Sequence, residues 1–191
     1  MNKTLDKIVA YLINKEIISP DQEEVYRYGY FIVFEIGINI LISLIVGITL
    51  QDLGGVIFFL CLYIPLRSNC GGWHAPKLWL CTLLSNALLV VVIMIKEYFT
   101  DICSFPVLWS ILLICIGLIS WLAPVDSEAK RLSREEKNYI RKKIKVILVL
   151  HMGISGYLSL VQIKPYMLLV VCAYVTLVIL LLLELMRKKI D

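Results

Sequence analysis

The sequence predicts an all-α, polytopic membrane protein, and three observations carry that reading. Of 191 residues, 60% are hydrophobic, well above the apolar share of a soluble domain. Mean hydropathy is +0.84. The apolar residues also fall into long runs separated by charged breaks, and about 20 such residues in a helix cross the hydrocarbon core of a bilayer. The chain has room for about six such helices with short loops and for no separate soluble domain, so residues 1–191 form a single membrane-embedded domain.

The N-terminal segment is different in kind. Leu5, Ile8, Val9, Leu12 and Ile13 recur at helical spacing, while Lys3, Asp6, Lys7 and Asn14 fall off that face. This is the stripe of an amphipathic helix over 1–18, lying along the inner leaflet. Ser19 as N-cap, Pro20 in the first helical position and acids at 21, 23 and 24 then start a new helix that runs into the first span. Apolar runs place the spans near 30–50, 53–66, 78–95, 105–123, 146–162 and 166–186, the second being short. Between the fourth and fifth lies the one long polar stretch, 124–145, with eight basic and four acidic residues. Inside it, Ser133 and Glu136 have the spacing of a capping box, so a basic helix starts near Arg134 and continues into the fifth span.

Six spans put both termini on one side, and charge identifies which. On that side fall 17 of the 19 Lys and Arg, with only Lys96 and Lys164 opposite. Cytoplasmic loops collect positive charge, so both termini are expected in the cytoplasm. The first apolar patch is interrupted by Asp6 and Lys7 and followed by Lys15 and Glu16, unlike a secretory signal. The six cysteines show no paired CxxC spacing, which argues against a disulfide framework. No internal repeat, phosphate loop, cofactor motif or nucleic-acid motif is found; the basic residues suit anionic lipid or an acidic peptide.

Lone polar residues in apolar spans need separate reasons, because charge in hydrocarbon is costly. Glu35 can pair with Arg27 or Arg67, or belong to a site. Glu184, three and four residues before Arg187 and Lys188, reads as a snorkelling surface pair. His151, followed by Gly153, Ser155 and Gly156, reads as a packed helix contact.

Residues 67–81, RSNCGGWHAPKLWLC, concentrate chemistry that membrane packing does not require. His74 and Cys81 are seven positions apart. In one unbroken helix they would share a face, yet the rise of about 10 Å would keep them from touching. Pro76 favours a helix start, which leaves His74 in the preceding loop, and Gly71-Gly72 lets that loop fold back. Cys81 then sits near the positive end of a helix, a setting that favours thiolate, with His74 as base and then acid. Backbone N–H groups at Gly71 and Gly72, or in the turn after Pro76, are oxyanion candidates, and Ser68 and Asn69 are the nearest orienting groups. Two rival readings remain open. A Cys70, His74, Cys81 metal site lacks a fourth ligand and paired spacing, so no metal is expected. A purely structural loop is the other.

Arg67, Gly71-Gly72, His74-Ala75-Pro76 and Cys81, with Ala123-Pro124 opening a basic loop, resemble the accessory gene regulator B (AgrB) family. That resemblance implies a membrane cysteine endopeptidase of quorum sensing, with Cys81 as nucleophile, His74 as base and Arg67 at a conserved basic position. It further implies an AgrD-type propeptide as substrate, cut near its C-terminus and held as a thioester on Cys81. An internal Cys or Ser then closes a thiolactone or lactone. Arg131 departs from the family's proline. The implied setting is a bacterial plasma membrane protein, working as a homodimer, with its site at the cytoplasmic face. There the propeptide's amphipathic leader would share the leaflet, and Arg67, Lys77 and the 130–145 cluster would hold its acidic tail. A peptide exporter or membrane scaffold, in which the loop only gates or binds, is the rival from another class.

Overall fold

The computed structural model describes residues 10–13, 15, 17–19, 21, 23–72, 78–125 and 133–190, without the side chains of Glu24, Val25, Tyr28, Phe31, Ile32, Glu35, Leu78 and Ile190. Six helices follow in order: α1 Glu23–Thr49, α2 Leu53–Cys70, α3 Leu78–Phe99, α4 Phe105–Leu122, α5 Arg134–Leu160 and α6 Lys164–Ile190. No strand occurs among the described residues. Five helices are long and apolar enough to cross a membrane by length and composition, namely 53–70, 79–99, 105–122, 134–160 and 164–189. In α1 the apolar part is the shorter Ile36–Thr49.

Local signals account for most helix boundaries. Asp52 caps α2 by accepting the Gly55 N–H at 3.1 Å, and its other oxygen takes Lys96 Nζ from the end of α3 at 2.6 Å. Ser104 and Pro106 open α4. At α5 the expected capping box is present: the Glu136 N–H donates to Ser133 Oγ at 3.2 Å, and the Ser133 N–H donates to Glu136 Oε2 at 2.8 Å. Residues 10–13 are helical; Leu5, Ile8 and Val9 of the expected amphipathic stripe, with Pro20 of the expected helix start, lie outside the described residues.

One helix sits inside the others. In α6 every residue from Met167 to Tyr174 is buried, as are Leu177 and Leu181, and the helix packs on α2, α3, α4 and α5. Of its apolar window 67% is buried, against 33% or less in the other four spans. The outer helices instead expose large apolar side chains such as Ile114, Trp121, Val149 and Leu160. A water-soluble monomer rarely exposes so much apolar surface, whereas lipid accommodates it. These features fit a multi-pass membrane protein.

Between apolar helices, polar contacts choose the partner face. α1 meets α3 through Asn39 to Thr82 at 3.3 Å, Ser43 to Asn86 at 3.1 Å and Asn86 to Asn39 at 3.3 Å. His151 in α5 faces Tyr174 Oη in α6 at 3.2 Å and is buried, a packed helix contact as expected.

Two expectations need correction. The second span does not end at 66: α2 runs through Pro65 to Cys70, so Arg67, Ser68 and Asn69 are helical. A proline removes one backbone donor and crowds the preceding turn, and here Ser68 Oγ and Asn69 Nδ2 add bonds to the Pro65 carbonyl at 3.1 and 2.7 Å. Glu184 is not a surface pair with Arg187 and Lys188. It is 3% exposed, buried within the helix bundle.

Candidate active site at the end of the second helix

The site is organised by a column of residues four apart on α2. Phe59 and Tyr63 stack with ring centroids 5.3 Å apart and planes 14° from parallel, which fixes the Tyr63 ring. One turn on, Arg67 turns back along its own helix: Nη1 donates to the Gly71 carbonyl and Nη2 to the Gly72 carbonyl at 3.4 Å. The Gly71 N–H closes the last turn on the Arg67 carbonyl at 3.3 Å. A half-buried guanidinium thus stitches the helix end to the turn that follows it.

Gly71 and Gly72 are required here by conformation and by crowding. Their φ angles are +74° and +110°, where a β-carbon is strained. At Gly71 an added Cβ would run into the Val125 carbonyl; at Gly72 it would lie 2.6 Å from Arg67 Nη1 and 3.2 Å from the Leu180 carbonyl of α6. The segment after α4 clamps the turn from the other side. There the Val125 N–H donates to the Cys70 carbonyl at 3.0 Å, Gly71 and Val125 form an isolated parallel bridge, and the Ala123-Pro124 peptide is cis. Three elements far apart in sequence therefore meet at one glycine pair.

Cys81 lies in the first described turn of α3 and is partly exposed. Arg67 is in electrostatic reach of Tyr63, Cys81, Cys70 and Glu184, and Tyr63 is in reach of Arg67 and Cys81. Of the expected site residues, the fold joins Arg67, Gly71 and Gly72, with Cys81 in electrostatic reach of Arg67. His74 and Lys77, with Pro76, lie outside the described residues, as does the Glu35 side chain. Arg27 pairs with Glu23 at 2.6 Å. Cys70 is fully buried behind the turn.

Sequence reading misses Tyr63, Val125 and Leu180. Tyr63 is recoverable once α2 extends through Arg67, because the two then share a face. Val125 and Leu180 reach the turn only through tertiary packing, which leaves no local signal.

The sequence model of the family described as accessory gene regulator B matches residues 5–185. Protein FsrB of Enterococcus faecalis (strain ATCC 47077 / OG1RF) is 30% identical over 148 residues, covering 72% of this chain. The chain spans 60% of the length of that relative. No solved structure matches.

Proposed function

The chain belongs to the accessory gene regulator B family, and from that premise we propose that it is a membrane cysteine endopeptidase that matures a quorum-sensing propeptide of the AgrD type. The observation that supports this reading is Arg67, bound to the Gly71-Gly72 turn and in electrostatic reach of Tyr63 and Cys81. A thiol that only fills space does not need a guanidinium in electrostatic reach of it.

In the proposed reaction, His74 takes the Cys81 proton and the thiolate adds to the scissile carbonyl of the propeptide. Collapse of the tetrahedral adduct breaks the C–N bond, and His74 returns the proton to the leaving amine. The N-terminal portion remains as a thioester on Cys81. A Cys or Ser within the same portion then attacks that thioester, loses its proton to His74, and releases Cys81 with a thiolactone or lactone ring closed. Tethering gives the internal nucleophile a high effective concentration against water. Exchange between thioesters is nearly balanced while making the first from an amide is uphill, so loss of the tail or of the product draws the reaction forward.

The charge bias of 17 of 19 Lys and Arg supports cytoplasmic termini and a site on the cytoplasmic face. Since Arg67 is engaged with the turn, Lys77 and the 130–145 cluster are the better holders of an acidic tail. We assign the whole of 1–191 to one domain, acting as a homodimer in the plasma membrane.

Co-expression with the propeptide tests the proposal. Wild type and Cys70→Ser are expected to process it, and Cys81→Ser and His74→Ala to leave it intact. Processing that survives Cys81→Ser would end the nucleophile assignment and favour an exporter or scaffold.

A further inference from the structure

We propose that the outward face of α5 at its basic end is a binding site for an anionic phospholipid, with Lys142 and Lys143 on the headgroup phosphate and Tyr139 beside them. The inference rests on the membrane setting of the fold and not on the peptidase reading. Tyr139 and Tyr157 are 18 residues apart, five helical turns, so they lie on one line along α5 and about 27 Å from each other. Both are exposed, at 61% and 63%, and between them on the same side Val146, Val149 and Leu150 are exposed as well. On the opposite side Ile144, Leu148 and His151 are buried in the bundle. An apolar stripe bounded by two phenols, at nearly the thickness of the hydrocarbon core of about 30 Å, is a lipid-facing surface with its interfacial anchors in place. The same spacing recurs in α3, where exposed Trp79 and Tyr98 are 19 residues, or about 28 Å, apart.

Lys142 and Lys143 follow Tyr139 by three and four residues, so all three share that outward face. Both lysines are exposed, and they leave the helix about 5 Å nearer the bilayer centre than Tyr139 does. An ammonium there must reach back to the polar headgroups. The Lys143 side chain does so: its Nζ stands 4.6 Å from the centroid of the Tyr139 ring, one turn toward the polar end of the helix. Two cations at headgroup level above a hydrocarbon stripe match a lipid whose headgroup is net negative, whereas a choline lipid would bring its own cation to the same place. The acids of this end stand apart from the lysines. Glu136 is held in the capping box with Ser133, and Glu135 leaves the helix about 10 Å beyond Lys142, toward water. Arg134, Lys137 and Arg141 recur in steps of three and four toward buried Ile144, along the border of the packed face. That different side leaves them to an acidic peptide tail.

Full-length protein in maltoside micelles, titrated with dioleoylphosphatidylglycerol or dioleoylphosphatidylcholine and read by native mass spectrometry, tests the site. Wild type should retain one phosphatidylglycerol at a lipid concentration at least about tenfold below that needed for phosphatidylcholine, the scale expected of two lysines at a membrane surface. Lys142→Gln with Lys143→Gln should bring this preference to within about twofold, while Lys142→Arg with Lys143→Arg should keep it. Arg134→Gln with Arg141→Gln removes the same charge from the other side of α5 and should leave the preference intact. No preference in wild type, or an equal loss in the two glutamine pairs, which is the mark of diffuse surface charge, would overturn the site. Hexaglutamate that displaces phosphatidylglycerol from wild type, and that no longer binds once Lys142 and Lys143 are replaced by Gln, would overturn the lipid as its occupant.

Discussion

Gly72→Ala is the sharpest test of how the turn is built. At φ +110° the alanine backbone is strained, which costs about 1–3 kcal/mol at a sparsely populated angle. The new methyl would also lie 2.6 Å from Arg67 Nη1 and 3.2 Å from the Leu180 carbonyl. The guanidinium is the softer neighbour and must move. Its two bonds to the Gly71 and Gly72 carbonyls are then weakened, each charge-assisted bond being worth about 1.5–3 kcal/mol. Partial loss of both, added to the strain, gives a destabilisation of about 2–5 kcal/mol, concentrated at the site. If roughly 3 kcal/mol of this falls on the reacting geometry, kcat/KM drops about 100-fold. The assay is thermal unfolding in detergent by intrinsic fluorescence beside propeptide cleavage, with Gly117→Ala as control. An added Cβ at Gly117 meets nothing within 4 Å, so that control should be neutral or more stable by up to about 1 kcal/mol. A Gly72→Ala protein as stable and active as wild type would refute the account of the turn.

Two further outcomes follow from named contacts. Tyr63→Phe keeps the stack on Phe59 at 5.3 Å while removing the hydroxyl in electrostatic reach of Arg67 and Cys81; the melting temperature should hold while single-turnover cleavage slows about tenfold or more, as for a lost polar group near a developing charge. Equal cleavage rates would remove Tyr63 from the site. Asn86→Leu deletes the bonds to Asn39, Ser43 and the Thr82 carbonyl, and at about 0.6–1.7 kcal/mol per interhelical bond in membranes it should lower stability by about 1–3 kcal/mol. Chemical denaturation in mixed micelles reads this, and an unchanged midpoint would show that the Asn86 bonds do not hold α1 to α3.

Much of the architecture is legible from local physics. Continuous apolar runs locate the helices to within a few residues, except where charge extends them: α5 begins twelve residues before its apolar run, at the Ser133 and Glu136 box the sequence displays. The end of α2 is harder to read. Arg67 interrupts the apolar run and suggests a loop, yet the helix continues because the guanidinium can hydrogen-bond carbonyls of the next turn. The site is legible in part for the same reason. Glycine pairs, a proline and a cysteine announce a junction, but their spacing cannot say what the glycines avoid.

The sequence by itself determined the solvent this chain is built for, the helices it forms and the segment where its chemistry is concentrated, because hydropathy and capping act over a few residues. Tertiary structure alone decided that α6 is the core helix, that Val125 clamps Gly71, and that Glu184 turns inward rather than to the surface. Apolar helices in lipid have several nearly equivalent faces to pack. The choice is settled by a few polar contacts and close backbone approaches between segments more than 50 residues apart, such as Gly71 with Val125 and Gly72 with Leu180.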